Sequence, residues 1–465
     1  MSQRHEAGDA LQALPVVVIG GGPIGLAALA ELLDREIDAV LLEAGEDVGE
    51  HFRQYGPVRL FTPWKFNIAP PVRARLLAAG WTAPPEDELP LASEIADRLL
   101  KPFAALPAVA ARVRRRHRVS AITRLGVDKV KTDGRADAPF ELRVQTPAGD
   151  ELLQARAVID ASGTWSSPNP MGSSGVPAVG ETAAADRIVY GIPDVLGHDR
   201  ARYAGRRVLV LGAGHSAANA LLWLGELAEQ APETSIVWAV RGRAMARAFG
   251  GGAADQLPAR GELGTRLRQW VNAGRLALER DCKVREVIRH ADHLQVVGAH
   301  SDGTRRVIEV DEVICATGQR PDLSMTRELR LALDPWLEST AALGPLIDPN
   351  VHSCGSVPPH GHRELAHPEP GFYTVGVKSY GRAPTFLMLT GYEQVRSVVA
   401  ALAGDVARAD QVELVLPETG VCNTGRASVS DSPCCDAPEV KVSAKIEVRR
   451  KPAPATAEVS GCGGA

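Results

Sequence analysis

Residues 15–43 read PVVVIGGGPIGLAALAELLDREIDAVLLE. Pro15 to Ile19 is a run of β-branched residues, the composition of a strand covered on both faces. A glycine turn follows, Gly20-Gly21-Gly22-Pro23-Ile24-Gly25. Ile24 to Arg35 carries apolar residues at helical spacing, and Ala39 to Glu43 is a second strand. The whole is one βαβ unit. Its glycines have separate tasks. Gly20 permits the tight turn, Gly22 lets backbone approach a pyrophosphate, and Gly25 lets the helix lie close to the strand. The helix start then offers free N–H groups and a positive dipole end to phosphates. Glu43 stands 23 residues after Gly20, at the end of the second strand, where its carboxylate can accept from a ribose diol. Gly20, Gly22, Pro23, Gly25 and Glu43 are therefore candidate dinucleotide contacts.

A second βαβ unit spans about 206 to 243. Arg207 to Leu211 is its strand, Gly212-Ala213-Gly214-His215-Ser216-Ala217 its turn, Ala217 to Glu229 its helix, and Ser235 to Val240 its next strand. Here the second strand ends on Arg241-Gly242-Arg243 rather than on an acid. Two guanidinium groups favour a 2′-phosphate through bidentate hydrogen bonds, which points to NADPH. The first loop is then left for FAD. Gly212, Gly214, His215, Ser216, Ala217, Arg241 and Arg243 are the candidate NADPH contacts. Two dinucleotide sites in one chain imply hydride passing from nicotinamide to flavin.

Two strands end alike, in a small hydroxyl residue and glycine. One runs Ala155 to Ala161 and ends in Ser162-Gly163; the other runs Glu309 to Ala316 and ends in Thr317-Gly318. Residues 119 to 158 carry short strands between Asp-Gly and Ala-Gly turns, the pattern of a β-meander. Residues 371 to 376 form a last strand closing on Gly376, a further candidate contact, and a helix follows from about Thr385 to Ala403. The expected fold is α/β, with two Rossmann-like dinucleotide-binding domains and β-meander insertions. The FAD domain takes 1–170 and 331–416, the NADPH domain is inserted at 171–330, and 417–465 is a flexible tail.

Net charge is −4, which argues against a nucleic-acid partner. The basic run Arg112-Val113-Arg114-Arg115-Arg116-His117-Arg118 reads as a solvated loop or strand edge. The apolar stretch from Leu14 to Leu33 is broken by glycines and closed by Glu31 and Asp34, so it is not read as a membrane span. No secretory signal is visible, and a cytoplasmic protein with reduced thiols is expected. Of seven cysteines, Cys422, Cys434, Cys435 and Cys462 crowd into the last 44 residues. A vicinal pair such as Cys434-Cys435 closes a relaxed disulfide with difficulty, yet it chelates soft ions well. His352, Cys354, His360, His362 and His367 fall within 16 residues. Their spacing could suit zinc, but they are read as a loop over the flavin or on the surface, with no metal.

These motifs together resemble the two-dinucleotide-binding-domain flavoprotein superfamily over roughly residues 14 to 405. In that superfamily the Ser162-Gly163 and Thr317-Gly318 segments are where the chain passes between the two domains. Several stretches are similar to the flavin-containing monooxygenase and N-hydroxylase branch: Glu43 to Gly49 with His51-Phe52-Arg53, Phe61-Thr62-Pro63-Trp64-Lys65, Gly163-x-Trp165-x-x-Pro168, and Gly214-His215-Ser216-Ala217. There are departures. That branch's Phe-x-Gly-x-x-x-His fingerprint is replaced by Ile188-Val-Tyr190-Gly-Ile-Pro-Asp194, and Pro63 stands where an asparagine is expected. Neither a cysteine pair near Glu43 nor a Cys-x-x-Cys in the NADPH domain is present, unlike the disulfide-reductase branch. The tail is similar to those of mercuric reductases and large thioredoxin reductases, and to flavoproteins of arsenic-resistance operons. The resemblance implies FAD and NADPH, a small-molecule substrate, and commonly a homodimer.

The leading expectation is a monooxygenase acting on a small soft nucleophile: a sulfur, nitrogen or metalloid centre. The alternative is NADPH-driven reduction of a thiol, disulfide or metalloid through Cys422, Cys434, Cys435 and Cys462. A non-enzyme reading is a metalloid-binding or redox-sensing flavoprotein. No side chain is singled out as catalytic.

Overall fold

The structure is a computed structural model. It describes residues 10–414 apart from 244, 246–248, 250–257, 353–356 and 385. Thr385, Cys354 and the tail cysteines Cys422, Cys434, Cys435 and Cys462 lie outside the described residues. Among the described residues no helix is long and apolar enough to cross a membrane.

Two five-stranded parallel sheets organise the chain. In the first, β1 (Val16–Ile19), β2 (Ala39–Leu42), β3 (Val113–Arg114), β7 (Ala157–Asp160) and β16 (Phe372–Thr374) stand in the order β16-β7-β1-β2-β3. In the second, β8 (Ile188–Tyr190), β9 (Arg207–Leu211), β10 (Ser235–Ala239), β11 (Ala277–Glu279) and β15 (Glu312–Cys315) stand in the order β11-β10-β9-β15-β8. Each sheet is built outward from the strand that precedes a glycine turn. All strands of the second sheet fall in the chain between β7 and β16, so the second unit is inserted into the first. This is the expected α/β arrangement of two Rossmann-like units.

Burial explains the strand composition. Val16 and Val18 pack to one side of the first sheet, against α1 (Pro23–Asp34) and α5 (Met388–Leu402). Val17 and Ile19 pack to the other side, against the meander β4 (Arg118–Arg124), β5 (Phe140–Thr146) and β6 (Gly149–Ala155). A strand buried on both faces has no polar position to spare. The second sheet repeats the arrangement. Val208 and Val210 face α3 (His215–Gln230), and Leu209 and Leu211 face the meander β12 (Lys283–Arg289), β13 (Leu294–Ala299) and β14 (Arg305–Val310). Between them, α2 (Pro70–Ala78) adds to the first core and α4 (Pro258–Asn272) packs on α3.

Two expected strands prove to be two strands each. The stretch Glu309 to Ala316 breaks at Asp311, and the stretch from Ala155 breaks at Arg156. The cause is the same in both units. The chain leaves the antiparallel meander and joins the parallel sheet at one residue. That residue donates its N–H to the carbonyl at the start of the central strand: Asp311 to Arg207, 2.8 Å, and Arg156 to Pro15, 3.1 Å. Asp311 also accepts from the Arg207 backbone N–H and guanidinium, both at 2.8 Å. The helix expected from about Thr385 to Ala403 is found at Met388–Leu402, and a short one, Val406–Asp410, follows it.

The basic run is a strand edge. Val113–Arg114 pairs with Leu41–Leu42, while Arg115 and Arg116 reach Asp47 and Glu46 at 2.8 and 2.6 Å. A buried charge cluster ties the first meander to the later chain. Glu369 accepts from Arg124 Nε at 2.8 Å and Arg135 Nη2 at 2.7 Å, and all three residues are buried. Glu369→Leu strands two guanidinium groups away from water. Removing one partner of such a cluster costs about 3–5 kcal/mol. A clear fall in thermal midpoint is expected, and an unchanged midpoint would show that the cluster is dispensable.

Candidate functional site

The site is assembled at the carboxyl ends of the two parallel sheets, where open α/β sheets bind ligands. In the first sheet, Gly20 takes φ +103°, a left-handed conformation that a side chain would strain, and a Cβ there would lie 2.7 Å from the Ala161 carbonyl oxygen. A Cβ on Gly25 would lie only 1.9 Å from the Gly20 carbonyl oxygen. These two glycines are therefore structural. Gly22 is different: a Cβ there meets nothing within 4 Å. It is the N-cap of α1, with Pro23 at its first position and no side chain capping the helix start. A helix start left uncapped behind an open glycine fits a phosphate group.

Glu43 lies at this loop. Its Oε2 accepts from the Gly21 N–H and its Oε1 from the Gly45 N–H, both at 2.6 Å. The carboxylate is held in place at the end of β2, and its remaining lone pairs are available to a ribose. The fit to a dinucleotide thus rests on the chain's own geometry.

The second loop repeats this. Gly212 has φ +131°, with a Cβ 2.2 Å from the Ala316 carbonyl oxygen; Gly214, the N-cap of α3, would again meet nothing within 4 Å. His215 and Ser216 open the helix, and Ala217 is buried where the first loop has Gly25. Arg241 and Arg243 are exposed beyond the end of β10, and Arg243 Nε leans on Asp281 at 2.9 Å.

The two hydroxyl-glycine segments meet. Asn169 donates its N–H to the Gly318 carbonyl at 2.9 Å and its side-chain amide to the Thr317 carbonyl at 3.1 Å, while Thr317 Oγ1 donates to the Asn169 carbonyl at 2.9 Å. Arg320 N–H reaches the Ser167 carbonyl at 3.0 Å. The segments after β7 and β15 therefore run as a pair, with Gly163 and Gly318 at φ +73° and +87°. Nearby, the Trp165 ring packs tilted against Tyr55 at 4.6 Å and its N–H donates to Gln54 at 2.6 Å, and Phe61 meets His215 edge-on at 5.0 Å. These contacts join the loops before the first meander to the start of α3 and to the paired segments.

Sequence reading missed three features of this region. Asp160 and Lys378 form an ion pair beside Ser162, at 2.7 Å. Gln394, fully buried, accepts from the Gly376 N–H at 2.8 Å, and donates to Ser379 and towards His360, both at 2.9 Å. Asn169 is the third. Asp160, Gln394 and Asn169 lie in a strand, a helix and a loop, and no motif marks them.

The histidines take separate partners. His360 is buried against Gln394, and burial lowers its pKa. His362 reaches Asp410 at 2.9 Å, His352 the Pro345 carbonyl at 2.9 Å, and His367 lies against Phe372. Among the described residues no three His, Cys, Asp or Glu side chains gather as metal ligands. The described cysteines, Cys282 and Cys315, are both buried. Burial pushes the Cys315 thiol up to about 12 and raises that of Cys282, so neither is a nucleophilic thiolate near neutral pH.

Comparison with known proteins agrees with this architecture. The family model of pyridine nucleotide-disulphide oxidoreductases matches residues 14–368. No curated protein matches the sequence. Among solved structures, the bacillithiol disulfide reductase Bdr (YpdA) from Bacillus cereus is 18% identical, covers 84% of this chain and 99% of its own, and has a TM-score of 0.62. The FAD-bound cadaverine monooxygenase DfoA from Erwinia amylovora is 12% identical, covers 88% and 98%, and scores 0.58. The thioredoxin reductase from T. acidophilum is 16% identical, covers 84% and 97%, and scores 0.52. At these identities the likeness is one of fold, shared by reductases and monooxygenases alike. With the family model covering most of its length and a glycine loop on each of its two parallel sheets, the chain belongs to the pyridine nucleotide-disulphide oxidoreductase family.

Proposed function

We propose that the chain is an FAD-dependent oxidoreductase reduced by NADPH, and that its electrons go to oxygen for attack on a small soft nucleophile. FAD lies on the first unit, residues 1–170 and 331–416, with its pyrophosphate over Gly22 and its ribose on Glu43. NADPH lies on residues 171–330, with Gly214 under its pyrophosphate and Arg241 and Arg243 at its 2′-phosphate. The observation that carries this reading is the repeat of one open, uncapped glycine helix start on two matching sheets. FAD supplies two-electron chemistry when bound. The chain's own part is to bind, to orient and to exclude water. Ser167 and Asn169 on one side and Thr317, Gly318 and Arg320 on the other hold the two units together, and Trp165, Tyr55 and Phe61 furnish apolar cover beside them.

Oxygen is favoured as acceptor because the stretches Gly163 to Pro168 and Gly214 to Ala217 are similar to the monooxygenase branch; among the described residues the two cysteines are buried. The sequence supports one second reading. Cys434 and Cys435, with Cys422 and Cys462, would pass electrons to a disulfide or a metalloid. A single experiment separates the two. The purified protein is mixed with NADPH, labelled dioxygen and candidate thiol, amine or arsenite substrates. Label in the product, unaffected by Cys434→Ser with Cys435→Ser, is the expected result. Anaerobic turnover of a disulfide or metalloid that this double variant abolishes would overturn it.

A further inference from the structure

The Lys378–Asp160 pair has no part in the binding roles above. The Lys378 ammonium lies 2.7 Å from Asp160 Oδ2, with the two side chains 2% and 0% exposed. It also donates to Ser162 Oγ at 3.0 Å, and Ser162 in turn donates to Asp160 Oδ1 at 2.7 Å. Two unit charges are thus sealed from water at one spot.

That spot adjoins the first dinucleotide loop. Asp160 ends β7 in register with Ile19, the residue before Gly20. Lys378 belongs to the turn Gly376–Tyr380, which sits on the first turn of α1: a Cβ on Gly376 would lie 3.2 Å from Ile24. Gln394 pins this turn through the Gly376 N–H and Ser379. The lysine has no slack to swing away. Both charges stand in the wall of the cradle without opening into it.

Dehydrating two charges makes such a pair a poor stabiliser compared with an apolar pair of the same size. Its distinguishing property is its field. A hydride moved from NADPH to oxidised flavin carries two electrons and one proton. NADP⁺ is left behind, and the neutral flavin gains one negative charge. A buried cation favours that change and a buried anion opposes it. In a protein interior a unit charge about 10 Å away shifts such an equilibrium about tenfold.

We propose that Lys378 and Asp160 are positioning residues whose opposed charges set the reduction potential of the FAD held by the Gly20 loop. This rests on the flavin assignment made above. The test uses purified holoprotein without turnover, by spectroelectrochemical titration of the bound flavin. Lys378→Met leaves Asp160 uncompensated, and the reduced-to-oxidised ratio at a fixed potential falls about tenfold. Asp160→Asn leaves Lys378 uncompensated and moves the ratio the other way. Lys378→Arg restores the wild-type value. A role in packing alone would move both variants in one direction, or neither, and either result overturns the inference. If Lys378→Met does not fold, Asp160→Asn decides by itself: a ratio that fails to rise overturns the proposal. A wild-type protein that neither carries nor takes up flavin overturns the flavoprotein reading and this inference with it. Flavin binding with unshifted potentials overturns the inference alone.

Discussion

Gly22→Leu is expected to give a folded, colourless protein. A Cβ at this position meets nothing within 4 Å, so the substitution costs the fold little. The added side chain instead fills the space over the α1 N-terminus. The phosphates then lose their approach to the free N–H groups, each charge-assisted bond being worth about 1.5–3 kcal/mol. Two such bonds amount to a loss of at least about 100-fold in affinity. The check is flavin absorbance per chain beside a thermal melt. Gly25→Ala is the contrast, because its Cβ would lie 1.9 Å from the Gly20 carbonyl oxygen. It should lower the melting midpoint as well as the flavin content. A Gly22→Leu protein that keeps full flavin would place the cofactor elsewhere.

Replacing Arg241 and Arg243 together by glutamate is expected to abolish the preference for NADPH over NADH. Both side chains are exposed past the end of β10, so the fold tolerates the change. The 2′-phosphate would lose two charge-assisted partners and gain two like charges. KM for NADPH should rise by about 100-fold or more, with NADH oxidation little altered. Arg243 gives up its contact with Asp281, whose buried carboxylate keeps the Ser301 N–H and hydroxyl as partners. Equal losses with both coenzymes would show that these arginines do not read the 2′-phosphate.

The two glycine loops and their βαβ units were legible in the sequence because they are local. A β-branched strand, a glycine turn and an apolar helix follow one another within thirty residues, and each has its own physical signature. The insertion of the second unit was legible too, from the hydroxyl-glycine segments on either side of it. The handover at Arg156 and Asp311 was not. Arg156 and Asp311 each interrupt the run with a charged residue, which the alternation of a single strand also produces, and only pairing to different sheets ends one strand and starts another. Glu43 was placed by its spacing. Lys378, Asp160 and Gln394 were not, because the ion-pair partners Lys378 and Asp160 stand more than 200 residues apart and buried polar pairs leave no periodic trace.

The central claim is that two dinucleotide sites work as one electron path, from NADPH to FAD. Anaerobic titration of the purified yellow protein with NADPH tests it most directly. The expected result is one FAD per chain, bleached by one equivalent of NADPH. Protein that carries no flavin, or a bound flavin that NADPH leaves oxidised, would contradict the account.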